Sequence, residues 1–470
     1  MLQKVATTSP DLESVYARTL QRIREQEGDR SRFGIEVLMW VSHSERPLKL
    51  VELWHALTAV PQLIGLRPRD VLGENEVLET CLGLVVVDSE TSELRPIHYT
   101  LQEYLSKSGV LPHAHKTLAE SCLAYLYWYQ VKVLRADRFS CLLENCFLEY
   151  SSLYWGNHAK IELSDYAEWL AVKHLAVYPN HISATLLFNQ VKSQASPPVI
   201  SHLFSGLHCA SCFGIVEVVA SLIGSEDCDI NQQDCNGFTP LMWAAWRGNE
   251  AVVRILLTRD DVDPDRPDNE GRTPLWCASS NGNESVVGLL IARDDVNPDK
   301  PDNRDRTPLW CASENGNESV VKLLLTRNGV DPDKPDNSGK TPLWCASENG
   351  HEAVVALLLK LSNVDPDKPD NNGQTSLWPA LLNGHVLVVN ILLTRADANP
   401  DKPDNYGRTL LWWASGSGKK EVVTQLLQHG ANPDQPDVVG RTPLLIASMN
   451  GHREIVALLQ LRMTKVSNLD

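Results

Sequence analysis

The chain has 470 residues, 43% of them hydrophobic, which is an ordinary composition for a globular protein of about three domains. Its formal net charge is −16, and this acidic balance disfavours direct binding to the phosphate backbone of nucleic acids. No apolar run reaches about 18 residues, so no membrane span is expected, and residues 1–10 lack the basic start and apolar core of a secretory signal.

The first 60 residues predict three helices. The first spans residues 12–27, with its apolar residues on one face after the start signal Ser9-Pro10-Asp11. Residues 33–42 form a very apolar second helix. The turn Arg46-Pro47-Leu48 leads into a third helix, whose apolar residues continue to Leu57.

A β-hairpin is predicted next. After a helix near residues 74–82, residues 84–88 have the composition of a strand, and residues 94–99 form the return strand after a polar turn. Another helix begins at Thr100. Helices followed by a hairpin predict a winged-helix arrangement. Many winged helices bind DNA, but residues 31–110 contain 7 basic and 11 acidic side chains, which is the wrong sign for that role.

This order of elements resembles the winged-helix segment that follows the nucleotide-binding NACHT core in fungal STAND proteins, the NOD-like-receptor class. The matching stretches are Ser14-Val15-Tyr16, Leu38-Met39-Trp40-Val41-Ser42, Glu45-Arg46-Pro47-Leu48, Cys81-Leu82-Gly83-Leu84-Val85-Val86 and Ile97-His98-Tyr99-Thr100. The resemblance implies a winged-helix-like domain of post-NACHT type over residues 1–110, which in those proteins packs against the nucleotide core and transmits its state. Residues 118–126 and 147–159 resemble the helical spacer that follows, so residues 111–200 are assigned to a spacer.

The nucleotide core itself is not found in the sequence. A phosphate-binding loop needs a glycine-rich turn that ends in Lys-Ser or Lys-Thr, and the only similar segment, Gly416-Ser417-Gly418-Lys419-Lys420, lacks the hydroxyl residue. We interpret it as a turn between two helices. His98 and Glu103 could form an acid–base pair, but no nucleophile accompanies them, and a structural histidine is the favoured interpretation. We therefore predict a protein that is not an enzyme and has no cofactor.

The last 240 residues repeat. Threonines followed by an apolar helix start recur in steps of 34, five times, and then 33, at Thr239, Thr273, Thr307, Thr341, Thr375, Thr409 and Thr442. Such a period is typical of a solenoid. In one unit, Asp268 to Gly271 form a turn, Thr273 caps a helix that begins at Pro274, and a second helix follows Asn281-Gly282.

These units resemble ankyrin repeats, on the evidence of Thr273-Pro274-Leu275, Ala278, Gly282 and the Val-Val-x-Leu-Leu run. Ser205 to Ala210 is an eroded copy, which gives about eight repeats over residues 201–466. The fold class is therefore mainly α. The family usually has histidine three residues after the threonine, whereas five units here have tryptophan: Trp276, Trp310, Trp344, Trp378 and Trp412. We interpret these as core residues that stack on the next repeat; an aromatic ladder for a ligand is the alternative.

Several units depart from the pattern. Asp305 replaces the turn glycine, Ser376 and Leu410 replace the helix-starting proline, and Pro379 falls inside a first helix, so the unit at 375–395 should be the least regular. The second helices end at residues that tolerate a left-handed backbone. These are Asp261, Asp295, Gly329, Asn363, Asp397 and Gly430.

The cysteines do not indicate a metal site or disulfides. Cys209, Cys277, Cys311 and Cys345 occupy the same place in the repeat, on the first helix, where a small buried residue is expected. Cys209 and Cys212 have the spacing of a metal pair, but no second Cys/His pair follows. We predict buried thiols in a reducing compartment.

A partner is expected on the concave surface that the hairpin tips and first helices of an ankyrin stack form. The candidate residues are Phe238, Trp246, Arg247, Glu270, Arg272, Arg304, Arg306, Glu314, Lys340, Glu348, Asn372, Tyr406 and Arg408. Trp246 and Tyr406 are the expected hot spots. Arg272, Arg306, Arg408 and Arg441, with Lys340, line one side of the tips; the alternative is that this row only neutralises neighbouring aspartates.

The favoured hypothesis is a non-catalytic scaffold or regulator that binds protein partners and resembles a truncated fungal NACHT–ankyrin receptor. The alternative is a nuclear ankyrin-repeat transcription co-regulator that does not touch DNA, and a third hypothesis is a fragment of an NTP-dependent STAND switch. The predicted location is cytoplasmic, or nuclear under the alternative. No metal, nucleic-acid or membrane partner is expected.

Overall fold

The computed structural model describes residues 10–59, 74–107, 109–127, 131, 134, 145–191, 203–225, 228–394 and 398–466. Within these residues, no helix is both long enough and apolar enough to cross a membrane. By its internal contacts the chain divides into two units. The first is Met1–Ala244 with Ile255–Val262, and the second is Ala245–Arg254 with Asp263–Asp470.

The first unit is helical apart from one hairpin. Its elements are α1 (Pro10–Arg24), α2 (Asp29–His43), α3 (Leu50–Thr58), α4 (Glu74–Thr80), β1 (Val85–Val87), β2 (Leu94–Pro96), α5 (Tyr99–Leu105), α6 (Ala114–Tyr127), α7 (Leu148–Ile161), α8 (Asp165–Leu175), a 3-10 turn (Tyr178–Asn180), α9 (Ile182–Val191), α10 (Gly206–Phe213) and α11 (Val216–Ile223). Two further helices, α12 (Pro240–Arg247) and α13 (Glu250–Leu256), contribute residues to both units.

The predicted hairpin is present and short. β1 and β2 are antiparallel, with Val86 opposite Arg95, and Lys49 adds an antiparallel bridge to Glu93. The predicted helices before and after the hairpin are also present. Tyr16 of α1 reaches α5, where its hydroxyl lies 2.9 Å from the Thr100 hydroxyl. The order of elements agrees with the sequence; the assignment to the winged-helix class stays a prediction.

Aromatic side chains connect the first helices to the spacer segment. Trp40 of α2 is buried, with its ring in edge contact with Phe147 at 5.5 Å and Tyr150 at 5.8 Å. α7 in turn packs closely on α10. A Cβ at Gly156 would lie 2.1 Å from the Phe213 ring, so only glycine allows this approach of α7 and α10.

The second unit is a stack of helical hairpins. Its helices are α14 (Pro274–Ser280), α15 (Glu284–Ile291), α16 (Pro308–Glu314), α17 (Glu318–Leu325), α18 (Pro342–Glu348), α19 (Glu352–Leu358), α20 (Leu377–Leu382), α21 (Val386–Thr394), α22 (Leu410–Gly416), α23 (Lys420–Gln428), α24 (Pro443–Met449) and α25 (Arg453–Val466). First helices pack on first helices and second helices on second helices. α20 and α22 pack on each other less extensively than α16 and α18 do.

Threonine caps begin most of the first helices, as predicted. The hydroxyl of Thr273 accepts the N–H of Trp276 at 3.1 Å, and Pro274 follows at the first helical position. Thr307, Thr341, Thr409 and Thr442 cap in the same way. Each cap satisfies an amide that would otherwise lack a partner at the helix start.

The repeat at 375–394 is irregular, also as predicted. Pro379 has no N–H to donate, so the carbonyl of Thr375 accepts from Trp378 instead, at 3.0 Å. As a result α20 starts late, after Ser376, which has a helical backbone and makes no side-chain cap. Pro379 therefore shortens this first helix to six residues.

The prediction for the helix exits was wrong in part. Gly329 and Gly430 have positive φ, but Asp261, Asp295 and Asn363 do not, and Asp397 lies outside the described residues. The carboxylates of Asp261 and Asp295 instead pair with the arginines two positions earlier, Arg259 at 2.7 Å and Arg293 at 2.6 Å. These ion pairs give the two aspartates a local role that does not require a left-handed backbone.

Candidate partner-binding surface

One aspartate organises each hairpin tip, and it is buried in every tip described below except that of Asp336, which is half-buried. Oδ1 of Asp268 accepts the backbone N–H groups of Glu270 at 2.9 Å and Arg272 at 2.8 Å. The same two bonds recur at Asp302, Asp336, Asp370, Asp404 and Asp437. The aspartate therefore fixes the turn from which the exposed tip residues project.

The arginine row of the tips pairs with these aspartates. Four guanidinium groups lie 2.6–2.7 Å from Oδ2 of the aspartate four residues earlier; the pairs are Arg272–Asp268, Arg306–Asp302, Arg408–Asp404 and Arg441–Asp437. The carboxylate side chains are at most 1% exposed, whereas the arginines are 21–39% exposed. This geometry favours the alternative interpretation, in which the row neutralises buried charge.

The tryptophans of the first helices are core residues that tie neighbouring repeats together. Trp276, Trp310, Trp344, Trp378 and Trp412 are all buried. The indole N–H groups of Trp310 and Trp412 donate to the carbonyls of Lys340 at 2.9 Å and Arg441 at 2.8 Å, in the following tips. His208 of the eroded first copy makes the equivalent bond to the Phe238 carbonyl at 3.0 Å. Tryptophan thus replaces the histidine of this position as a donor between repeats.

Cations cover the ring faces of these tryptophans. Arg306, from the next repeat, lies 5.4 Å from the Trp276 ring centre, and Lys340 lies 3.7 Å from that of Trp344. All five side chains are buried, and the N–H groups of Trp276, Trp310 and Trp412 are bonded within the protein, whereas that of Trp344 is buried without a partner among the described residues. Buried rings of this kind are not open to a ligand. The aromatic-ladder alternative has no support in this geometry.

Comparison with known protein families assigns the repeats. The family model described as "Ankyrin repeats (3 copies)" matches residues 169–268, 207–302, 260–336, 281–370, 309–404 and 394–468. The chain belongs to the ankyrin-repeat family. The comparison with curated proteins gives no significant match.

Solved ankyrin structures also match part of the chain. The ankyrin repeat domain of Bcl-3, described as a unique member of the IkappaB protein family, is 28% identical with a TM-score of 0.44, and the match covers 48% of this chain and 99% of that one. EF0377, an ankyrin repeat protein, is 27% identical with a TM-score of 0.37, over 40% of this chain and 96% of that one.

Two carboxylates mark the ends of ankyrin first helices. Glu314 ends α16 and Glu348 ends α18, and both are half-buried. Lys340 pairs with Glu348 at 3.3 Å. Among the described residues Glu314 has no ion pair of this kind, and burial raises its pKa although Arg306 lies near. It is therefore a partly desolvated carboxylate on the expected binding face.

The two expected hot spots differ in exposure. Tyr406 is 62% exposed at its tip, with the Arg408 guanidinium 4.7 Å from its ring centre. Trp246 is half-buried, and the Arg247 guanidinium lies 5.0 Å from the centre of its ring. Each presents an aromatic ring with a fixed cation beside it, an arrangement that suits contact with a protein.

The remaining candidates are divided between the two units. Glu270, Arg304 and Asn372 are exposed tip residues of the second unit, and their carbonyls accept backbone N–H groups from the next tip at 2.8–3.0 Å. Phe238 belongs to the first unit and is half-buried, with its ring 5.3 Å from that of Trp243. The second unit thus holds all of the candidate surface except Phe238.

Sequence reasoning missed an apolar group in the last repeat. Val438 and Val439 are 73% and 72% exposed at a tip where other repeats have polar residues, and Leu445 and Met449 of α24 are exposed as well. The repeat frame contained the signal, since Val438 aligns with Asn269, Asn303, Asn337, Asn371 and Asn405. Apolar residues at exposed positions of a repeat indicate a contact surface.

The structure also shows the surroundings of the glycine-rich segment and of the repeated cysteines. The segment from Gly416 to Lys420 joins the end of α22 to the start of α23, with the turn at residues 417–419. Cys209, Cys277, Cys311 and Cys345 are buried, and burial raises the pKa of each thiol. Among the residues that the structure describes, no group of three or more His, Cys, Asp or Glu side chains is arranged to hold a metal ion.

Proposed function

We propose that this ankyrin-repeat protein is a non-catalytic scaffold or regulator that binds a protein partner through the tips and first-helix ends of its second unit. Ankyrin repeats are typically interaction modules with an extended binding surface. The observation that carries the proposal is Tyr406, an exposed aromatic with Arg408 over its ring, on a tip fixed by Asp404. Trp246 with Arg247 and the half-buried Glu314 extend the same kind of surface.

The proposal is tested by partner capture with a double variant, Trp246→Ala with Tyr406→Ala. The tagged chain is expressed at native level, and captured proteins are identified by mass spectrometry. The variant is expected to lose most of the bound partner, since hot-spot aromatics contribute about 2 kcal/mol or more each, while its thermal unfolding stays near that of the wild type. Unchanged capture by the folded variant would refute the surface assignment.

A matched control is available in the first unit. Tyr166 and Trp169 of α8 are also exposed, at 39% and 47%. The variant Tyr166→Ala with Trp169→Ala removes the same two residue types from a different part of the chain. Capture should be retained by this control, and a loss equal to that of the first variant would show that the effect is not specific to the tips.

The finer proposal is that the chain is a regulator related to fungal NACHT–ankyrin receptors. It is supported by the resemblance of residues 10–110 to the post-NACHT winged helix, and it keeps the division into residues 1–110, 111–200 and 201–466. Capture of receptor-like STAND proteins or their cytosolic effectors is the expected outcome. Capture of transcription factors or chromatin proteins would replace it with the nuclear co-regulator, and binding of a nucleotide by the purified chain would favour the STAND-switch fragment.

A further inference from the structure

Three histidines from three helices meet in the first unit. His43 ends α2, His115 lies in the first turn of α6, and His158 lies in the last turn of α7. His158 is fully buried, while His43 and His115 are half-buried. The rings of His43 and His115 are in edge contact at 5.2 Å, and Nδ1 of His115 lies 3.0 Å from Nδ1 of His158.

Hydrogen bonds join His158 to Tyr150 and His115. The Tyr150 hydroxyl accepts the backbone N–H of Glu45 at 3.0 Å and lies 3.0 Å from Nε2 of His158. A hydroxyl donates one hydrogen bond and accepts up to two, so Tyr150 can pair with either neutral tautomer of His158. Of the facing Nδ1 atoms of His115 and His158, one donates and the other accepts. Neutral rings therefore satisfy every bond in this chain.

Protonation of neighbouring rings would place like charges close together. If His115 and His158 were both charged, each would present an N–H to the other at the 3.0 Å contact of their Nδ1 atoms, and a charged His43 would lie against the His115 ring at 5.2 Å. Opposed donors and like charges in a buried cluster are costly. Protonation of the rings therefore opposes the packing of the three helices.

The charged surroundings do not reverse this preference. The titratable groups that act on His115 or Tyr150 are Glu45 and Arg46 after α2, Cys122 on α6 and Glu162 after α7. Glu149 and Tyr154 on α7 act on Arg46. Glu45 and Glu162 raise the pKa of His115, but burial outweighs them and the pKa is lowered. Burial and His115 lower the pKa of His43, and burial lowers the pKa of His158 to about 3.

We infer that the histidine network of His43, His115 and His158 is a proton-operated latch that holds α2 on α6 and α7. The latch is closed at neutral pH and weakens on acidification, because its histidines take up protons more readily when released than when packed. Its stabilising contribution is fully present above the ordinary histidine value of 6.5 and is lost as the pH falls below it. Opening uncovers the face of α2 on which Trp40 contacts Phe147 and Tyr150.

Hydrogen–deuterium exchange of the full chain measures the latch directly. Protection of α2 and α7 is compared at about pH 7.5 and about pH 5.5, with correction for intrinsic rates, and α17 serves as the reference within the same molecule. At one pH unit below the ordinary histidine pKa, protonation of each released histidine weakens the latch about tenfold. The expected result is at least a tenfold loss of protection in α2 and α7 relative to α17, and equal protection at both pH values would overturn the inference.

Two variants assign the effect to the named side chains. His115→Gln and His158→Gln each remove one titrating ring, so the pH response of α2 should shrink by about tenfold in each. His429→Gln, on an exposed histidine of the second unit, should leave the response unchanged. If the His158→Gln variant does not fold, the His115→Gln variant, at a half-buried position, still provides the test. A wild-type response in His115→Gln would overturn the latch.

Discussion

Single side chains of the hairpin tips combine several structural roles. Oδ1 of Asp302 accepts two backbone N–H groups at 2.9 Å, and Oδ2 accepts the guanidinium of Arg306 at 2.6 Å. The carboxylate is almost fully buried. The turn, the ion pair and the cation on the Trp276 ring therefore all depend on one residue.

Asp302→Ala is expected to destabilise the protein by about 3 kcal/mol, because it leaves two part-buried N–H groups and a guanidinium without their acceptor. Urea unfolding followed by far-UV circular dichroism measures the change. A loss of less than about 1 kcal/mol would contradict the role given to the buried carboxylate.

Asp305→Gly, three residues away in the same tip, should have the opposite sign. Asp305 has φ +61° where the other tips have glycine, and at the equivalent Gly271 an added Cβ would lie 2.5 Å from Asn303. Removal of the side chain is expected to stabilise the protein by about 1 kcal/mol in the same urea experiment. A destabilised Asp305→Gly variant would show that the aspartate compensates for its strained backbone.

At the scale of the element, a second set of side chains joins each hairpin to the one before it. Asn283, Asn317, His351, His385 and His452 precede the second helices and donate to carbonyls at the end of the previous first helix. Lys419 occupies this position in the repeat at 409, with φ −85° and ψ 77°, close to the −82° and 77° of His351. Within the part of the chain that the structure describes, the α20–α22 junction therefore lacks the side-chain bond that these five residues make at their junctions.

Lys419→His should supply the missing bond. The ring can reach the carbonyl of Leu382, which corresponds to the Glu314 carbonyl that accepts from His351 at 2.9 Å, and the expected gain is about 1 kcal/mol. Thermal unfolding measures the gain. Lys360→His, at an exposed lysine, is the control and should be neutral; an equal gain in both variants would mean that loss of positive charge, not the bond, is responsible.

Local features of the repeats were predictable from the sequence, because they depend on residues close together in the chain. The threonine caps, the left-handed Asp305 and the late start of α20 at Pro379 all follow from the chemistry of one turn. The pairing of each tip arginine was left open, since the sequence does not show which aspartate is buried. In the histidine network, His115 contacts His158, 43 positions later in the chain, and His43, 72 positions earlier. These residues meet only in the folded chain, so no periodic pattern of the sequence indicates the network.

For the whole molecule, buried carboxyl groups and buried histidines give pH responses of opposite sign. Burial raises the pKa of Asp265, Asp299, Asp333 and Asp401 in the second unit. A raised pKa means that the folded state binds protons more tightly than the unfolded state does. The cost of these carboxylates is therefore greatest at neutral pH and falls as the pH approaches the ordinary value of 3.8. The histidines of the first unit respond in the opposite way, because their contribution to the stability of the folded state is lost as the pH becomes acidic.

The Asp333→Asn variant tests whether burial of these carboxylates costs stability at neutral pH. Oδ1 of Asp333 is buried without a hydrogen-bond partner, so a neutral side chain should make the protein more stable than the wild type at neutral pH, with a difference that shrinks as the pH falls. Urea unfolding over a pH series measures it, with Glu352→Gln at an exposed glutamate as the control. A difference that grows on acidification would contradict the effect of burial.

The missing bond at the α20–α22 junction also has a mechanical consequence. Repeats joined only to their neighbours carry tension in series, so a pulled stack separates first at its weakest joint. Under load from its C-terminus, the segment from α22 to α25 would detach before the hairpins that precede it. The position of one lysine thereby sets where this solenoid yields and how much chain is released in its first extension.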